Sequence, residues 1–216
     1  GDRMTVRGGQ RLHGMSLRVP GDVSSAAFLA AAAAALPGSD IELVDIGLNP
    51  TRTALLDVLR RLGARVDVVV DRHDAGEPAG RLRIRYGRVS PMTIAPGEVA
   101  GLIDELPVLA ALATHGGEIS VTGATELRMK ESDRIAALVS GLRGLGADAV
   151  EWPDGFRVRG TTRLPGGTAD AAGDHRLAMA FAIAALGAGA PCRITGAGAV
   201  DVSYPGFFDV LESICE

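Results

Sequence analysis

Gly21 to Val70 reads GDVSSAAFLAAAAAALPGSDIELVDIGLNPTRTALLDVLRRLGARVDVVV, and the order of its parts decides the fold. An acidic residue, Asp22, precedes an Ala-rich run that predicts a helix over Ser24–Ala35. That run is apolar nearly all round, which is the mark of a helix buried inside a layered domain. A Gly-containing turn follows, then a short strand over Ile41–Ile46. After a polar loop, Leu55, Leu56, Leu59 and Leu62 recur at helical spacing and predict a second, amphipathic helix over about Thr51–Leu62. Gly63 then stands where a left-handed C-cap is wanted, and the β-branched run that follows resumes as a strand.

The same order recurs twice. A second copy starts near Ile103-Asp104, with a strand at Ile119–Thr122 and a second helix over about Ser132–Leu145, where Ile135, Leu138, Val139 and Leu142 keep the helical period. A third starts at Gly173-Asp174, with a strand at Cys192–Thr195 and a second helix over Tyr204–Ile214. RLRIRYG (81–87) and GFRVRG (155–160) alternate as half-buried strands and would close hairpins with the strands before them. Copies one and two therefore read strand, helix, strand, helix, strand, strand. Copy three stops after its second helix, so its last strands would come from another segment. The expected class is α+β: repeated βαβαββ units with buried Ala-rich helices and outer sheets. An ordinary doubly wound α/β domain is the other arrangement the pattern allows. The expected division is a segment 1–20, remnant of another domain, followed by one domain, 21–216, with repeats of about 21–88, 89–160 and 161–216.

Composition narrows the function. The chain has 216 residues, 47% hydrophobic but only 4% aromatic, so it has length for a real core and that core must be aliphatic. A formal net charge of −4 without a basic stripe argues against nucleic acid as a partner. Cys192 and Cys215 form no CxxC pair, and His13, His73, His115 and His175 show no pair at helical ligand spacing; neither a disulfide scaffold nor a metal site is expected. The most apolar run, Ala26–Leu36, is too short to span a bilayer, and no secretory signal precedes it, so a cytoplasmic protein without a membrane partner is expected. Gly1-Asp2-Arg3 reads as mid-chain sequence, which suggests a fragment.

Chemistry collects in three places: LIDELP with Asp104 and Glu105, RMKESDR with Arg128, Lys130, Glu131, Asp133 and Arg134, and GDHR with Asp174, His175 and Arg176. Asp104 and Asp174 each stand just before an Ala-rich helix, and Lys130–Arg134 bridge a loop and the first turn of a second helix. Helix N-termini carry free N–H groups and partial positive charge. Lys130, Arg134 and Arg176 added there make a place for a carboxylate or phosphate, Arg as a two-pronged fork and Lys as a point charge. Lys130 and Arg134 run against the helix dipole, a conflict that a ligand anion would offset. Asp104 and Glu131 stand beside these cations as candidates for proton transfer, and cations favour ionised carboxylates, so Asp104 is suited to act as a base. Each cluster also has a plainer reading: Ser132 or Asp133 caps a solvated helix, Asp174 caps beside a surface His and Arg, and Asp104 is an N-cap before ELPVLAALA.

IDELPVLAALAT, ELRMKESDRI, GDHRLAMAFAIAAL and VSYPGFFDVL together resemble the C-terminal half of the EPSP synthase family, and PGDVSSAAFLAAAA resembles the segment just after that family's crossing between two domains. The resemblance covers nearly the whole chain in order. It implies a two-domain enzyme, each domain built of three βαβαββ units. The implied reaction moves the enolpyruvyl group of phosphoenolpyruvate to the 5-hydroxyl of shikimate 3-phosphate, through a tetrahedral adduct, and releases phosphate. It needs no metal or organic cofactor. The resemblance further implies that Asp104 holds the shikimate hydroxyls and acts as base, and that Lys130 contacts the same substrate. Glu131 would handle the proton at the methylene carbon, and Arg134 and Arg176 would bind phosphoenolpyruvate with His175 beside them. Val202 stands where some members have Lys, and Glu126 where some have Asn. The N-terminal domain, with its own part of the site, is absent from this sequence; it is the implied partner, in a protein that is a monomer when full length and in which this chain alone is inactive. A non-catalytic anion-binding fragment and a related transferase acting on UDP-N-acetylglucosamine are the rival readings, the second disfavoured by KESDR followed by GDHR.

Overall fold

A computed structural model of the chain describes residues 3–11, 13–161 and 163–215. Gly1 and Asp2, read above as mid-chain sequence, lie outside them, as do Leu12, Thr162 and Glu216. Residues 3–20, as far as described, carry no regular secondary structure.

The first unit comprises α1 (Val23–Ala35), β1 (Asp40–Gly47), α2 (Ala54–Leu62), β2 (Arg65–Asp74) and β3 (Glu77–Arg85). The second runs β4 (Met92–Ile94), α3 (Pro96–Val99), α4 (Leu106–Ala113), β5 (Glu118–Val121), a 3-10 turn (Thr125–Met129), α5 (Arg134–Gly144), β6 (Asp148–Trp152) and β7 (Gly155–Arg159). The third holds β8 (Gly167–Asp170), α6 (His175–Ala185), β9 (Cys192–Thr195), a 3-10 turn (Ala197–Val202) and α7 (Phe207–Ile214).

The Ala-rich helices α1, α4 and α6 pack on one another at the centre, and each is covered by strands of its own unit. The cause is in the sequence: these helices have no polar face to give to water, and alanine side chains let helix axes approach closely. The second unit is complete, a sheet in the order β4-β5-β7-β6 with β4 parallel to β5 and the other pairs antiparallel. The first unit forms an antiparallel β1-β3-β2 sheet, and the third a parallel β8-β9 pair. These are the repeated α/β units with buried helices and outer sheets that the repeats led one to expect. A doubly wound sheet is ruled out, since the strands of the described residues form separate antiparallel, mixed and parallel sheets around the helices rather than one parallel sheet between them.

Three expectations need correction. Copy one was read with a strand ahead of its Ala-rich helix; among the described residues that strand is one parallel bridge, Gly21 to Ile46. Gly21 alone is paired there, donating to the Asp45 carbonyl and accepting from the Gly47 amide. The second helix of copy one starts at Ala54 rather than Thr51, because the Asn49 side chain accepts from the Thr51 amide and hydroxyl and holds a turn. That of copy three starts at Phe207 rather than Tyr204, after Pro205 and a left-handed Gly206.

The three central helices run parallel. Their N-termini meet at one end, where Ser24 of α1 bonds to Glu105 ahead of α4, and Arg176 of α6 reaches the Asp104 carbonyl. Their C-termini meet at the other, around a cavity lined by Leu36, Thr114, His115 and Gly187. No helix among the described residues is long and apolar enough to cross a membrane.

Helix α5 brings Arg134 to this N-terminal end by packing against α6 through a glycine. A Cβ built on Gly141 would lie 2.2 Å from the buried Phe181 ring. Gly141→Ala should gain about 1 kcal/mol of helix propensity but lose roughly 2–4 kcal/mol to overpacking against a ring with nowhere to go. The expected net loss, about 1–3 kcal/mol, is read from the urea midpoint of the variant. An unchanged or higher midpoint would show that the ring can move aside.

Candidate active site

The three sequence clusters converge at the N-terminal end of the central helices, centred on Arg134. Its side chain is only 1% exposed, although it begins α5. Asp133 makes that start possible by capping α5 through the Ala136 amide. Arg134 Nε then donates to Asp174 Oδ2 at 2.7 Å, and Nη2 to Asp174 Oδ1 at 3.3 Å, a two-pronged pair inside the protein. Nη2 also donates to Glu131 Oε2 at 2.5 Å, and Nη1 to Asp104 Oδ1 at 3.4 Å. The anions that offset the unfavourable helix position of Arg134 are thus, in the first place, the protein's own carboxylates. That corrects the expectation that a ligand anion does so.

Asp174 is fully buried and does two jobs. It caps α6, accepting from the Arg176 and Leu177 amides, and it holds Arg134. Burial alone would raise its proton affinity; the Arg134 bond and charge, with the two amides, outweigh that and leave it below the usual carboxylate range. Capping and site-building are not alternatives here.

Asp104 is not a helix cap. Glu105 occupies that position of α4, and it makes no side-chain cap either. Asp104, 28% exposed, instead faces three cations: Arg134 at 3.4 Å, Arg176 Nη2 at 3.7 Å and Lys130 Nζ at 4.0 Å. Arg176, 16% exposed, also donates to the Asp104 backbone carbonyl at 3.0 Å. Lys130 sits between Asp104 and Glu126, whose carboxylate is 3.3 Å away. His175 opens α6 beside this group and makes no side-chain hydrogen bond among the described residues.

The loop carrying Lys130 and Glu131 is tied down by Arg128. It donates to the Asp133 and Glu151 carboxylates at 2.8 and 2.9 Å and to the Trp152 and Pro153 carbonyls. Val202 is 82% exposed on the 3-10 turn that follows β9. One further contact was missed in the sequence. Arg52 lies on an exposed face, as expected, but also turns its guanidinium to the buried Ser24 hydroxyl at 3.0 Å. No local signal marks such a contact; only the repeat, which puts Arg52 and Arg134 near the starts of second helices, hints at it. No group of three or more metal-ligating side chains is found among the described residues.

The model of the EPSP synthase (3-phosphoshikimate 1-carboxyvinyltransferase) family matches residues 1–211. The chain belongs to that family. It is 45% identical over 216 residues to the 3-phosphoshikimate 1-carboxyvinyltransferase of Prochlorococcus marinus (strain MIT 9303), covering 99% of this chain and 49% of the relative. It is 48% identical over 208 residues to that of Acidithiobacillus ferrooxidans (strain ATCC 53993 / BNL-5-31), covering 96% of this chain and 48% of the relative. The chain thus spans about half the length of the curated relatives it matches. A solved EPSP synthase from Acinetobacter baumannii superposes with a TM-score of 0.88 at 35% identity, over 95% of this chain and 48% of that one. The enolpyruvyl transferase NikO from Streptomyces tendae, at 19% identity and a TM-score of 0.63, over 89% of this chain and 42% of that one, shares the fold.

Proposed function

We propose that this chain is the C-terminal half of an enolpyruvyl transferase and forms one wall of its active site. The full-length enzyme moves the enolpyruvyl group of phosphoenolpyruvate to the 5-hydroxyl of shikimate 3-phosphate and releases phosphate. The observation that carries the reading is the convergence of three parallel helix N-termini with Lys130, Arg134 and Arg176 around Asp104 and Glu131. Both substrates are anions. Helix N-termini and fixed cations are the groups that hold anions in place.

In this reading Asp104, among three cations, removes the proton of the 5-hydroxyl as its oxygen bonds to C2 of phosphoenolpyruvate. Glu131 delivers a proton to the methylene carbon, giving the tetrahedral adduct, and takes one back as phosphate leaves. Arg176, the more open of the two arginines, grips phosphoenolpyruvate directly. Arg134 contributes what is left of its fork beyond Asp174, and His175 lies beside both. Lys130 contacts shikimate 3-phosphate. Charge and alignment do most of the work: holding two reactants in contact lowers a barrier by roughly 7–11 kcal/mol in favourable cases. The N-terminal domain supplies the facing wall, the full-length protein acts as a monomer, and this half is inactive alone.

The test is phosphate release from phosphoenolpyruvate and shikimate 3-phosphate by this chain alone, and by the chain mixed with its separately made N-terminal half. Release only in the mixture is expected. Release by the chain alone would overturn the half-site reading. No release in either case from folded material would leave an anion-binding domain without chemistry, and release only with UDP-N-acetylglucosamine would make it the related transferase.

A further inference from the structure

One buried charged side chain beside this site has no part in the chemistry above. Glu105 is 7% exposed and stands at the N-cap position of α4 without capping it. Its Oε1 accepts from Ser24 Oγ at 2.5 Å. Ser24, buried in the first turn of α1, accepts in turn from Arg52 Nη2 at 3.0 Å, and Arg52 lies 3.8 Å from Asp22. The donors run one way, from guanidinium to hydroxyl to carboxylate, and that direction suits an ionised Glu105.

Glu105 and Asp104 share a peptide unit. The turn they form is gripped from two sides: Arg176 of α6 holds the Asp104 carbonyl, and Ser24 of α1 holds the Glu105 carboxylate. The charged groups that bear on Glu105 are Arg176 from α6, Asp104 from its own turn and Arg52 from the loop before α2. A cleft of about 50 Å³ lined by Thr51, Arg52, Gly101, Asp104 and Glu105 leaves room for the turn to shift.

Building on the reading of Asp104 as the base, we propose that Glu105 is a positioning residue: through Ser24 and Arg52 it holds the Asp104 turn in the reacting place, and it lets the turn go when it takes up a proton. Protonation replaces a charge-assisted acceptor by a neutral acid and weakens the Ser24 grip. Burial raises the pH at which this happens above the usual carboxylate range, with the Ser24 bond opposing.

The experiment measures kcat and KM for phosphoenolpyruvate against pH in the full-length enzyme, for wild type, Glu105→Gln, Ser24→Ala and Asp104→Asn, with a denaturation midpoint for each. Glu105→Gln keeps an acceptor for Ser24 but has no proton to gain. Its acid limb of kcat should move to lower pH by about half a unit or more, with KM within about twofold. An acid limb that stays in place overturns the proposal. If Glu105→Gln does not fold, Ser24→Ala decides: a kcat loss of about tenfold with KM and midpoint held supports it, and wild-type kcat overturns it. Asp104→Asn separates the two layers. Retained turnover there removes the base and this proposal with it; an inactive Asp104→Asn beside an unmoved limb in Glu105→Gln removes this proposal alone.

Discussion

Asp174→Ala should cost this chain about 4–6 kcal/mol of folding stability. The side chain is fully buried against Arg134, which is itself 1% exposed. Removing one member of such a pair leaves a charge inside the protein without its main partner, at about 3–5 kcal/mol. The loss of the α6 cap adds about 1 kcal/mol. For a chain of this size the melting temperature should fall by on the order of 10–20 °C. Asp174→Asn, which keeps an acceptor for the amides but not the charge, should fall between. The pH dependence has a fixed sign. The folded-state proton affinity of Asp174 lies below its unfolded value, so its stabilisation is fully present above about pH 4 and is lost as pH falls through the lower folded value. Urea unfolding at neutral pH and down the acid side measures both effects. A loss below about 1 kcal/mol in Asp174→Ala would mean that Arg134 finds other company, and the buried pair would not be the keystone of the site. Arg134→Ala shares this defect: it removes a structural ion as well as a ligand-binding group, so a raised KM in that variant would not by itself report on phosphoenolpyruvate.

Asp104→Asn should behave in the opposite way. In the full-length enzyme, turnover should fall by about 10²–10⁴-fold, the range for loss of a positioned general base. Folding stability should change by less than about 1 kcal/mol. Asp104 is partly open, caps no helix and makes its ion pairs at 3.4–4.0 Å rather than in a tight buried fork. An amide at this place still fits but cannot accept the hydroxyl proton. Turnover is measured beside a denaturation curve on the same preparation. A variant that keeps its turnover, or that loses it only by unfolding, would remove Asp104 from the chemistry.

The contrast between these two aspartates could not be read from their surroundings in the chain. Both precede an Ala-rich helix after a short turn. One is a buried cap and counter-ion, the other a partly open carboxylate among cations, and the difference lies in what residues 26 to 72 positions away bring to them. Arg128 and Arg52 carry the same lesson. Each is an arginine in a polar stretch, and its partners come from a hairpin or from a helix of another part of the chain.

What the sequence determined by itself is the part of this protein that depends on local pattern. Alanine runs with no polar face must be buried, and leucines at a 3.6 spacing must face a core. Gly63 must cap α2, where φ is +114°. The recurrence of that order three times makes one unit three times over, and the motifs in their order mark the family. What only the tertiary structure decided is which charges meet. Three helices come to lie together at the centre because their apolar surfaces leave them nowhere else to go, and they lie there with their N-termini at one end. That packing is set by burial over the whole domain, not by any residue of the site. Arg134, Asp174, Asp104 and Arg176 are neighbours as a consequence of the packing, so no reading of spacing along the chain could reach the ion pairs between them.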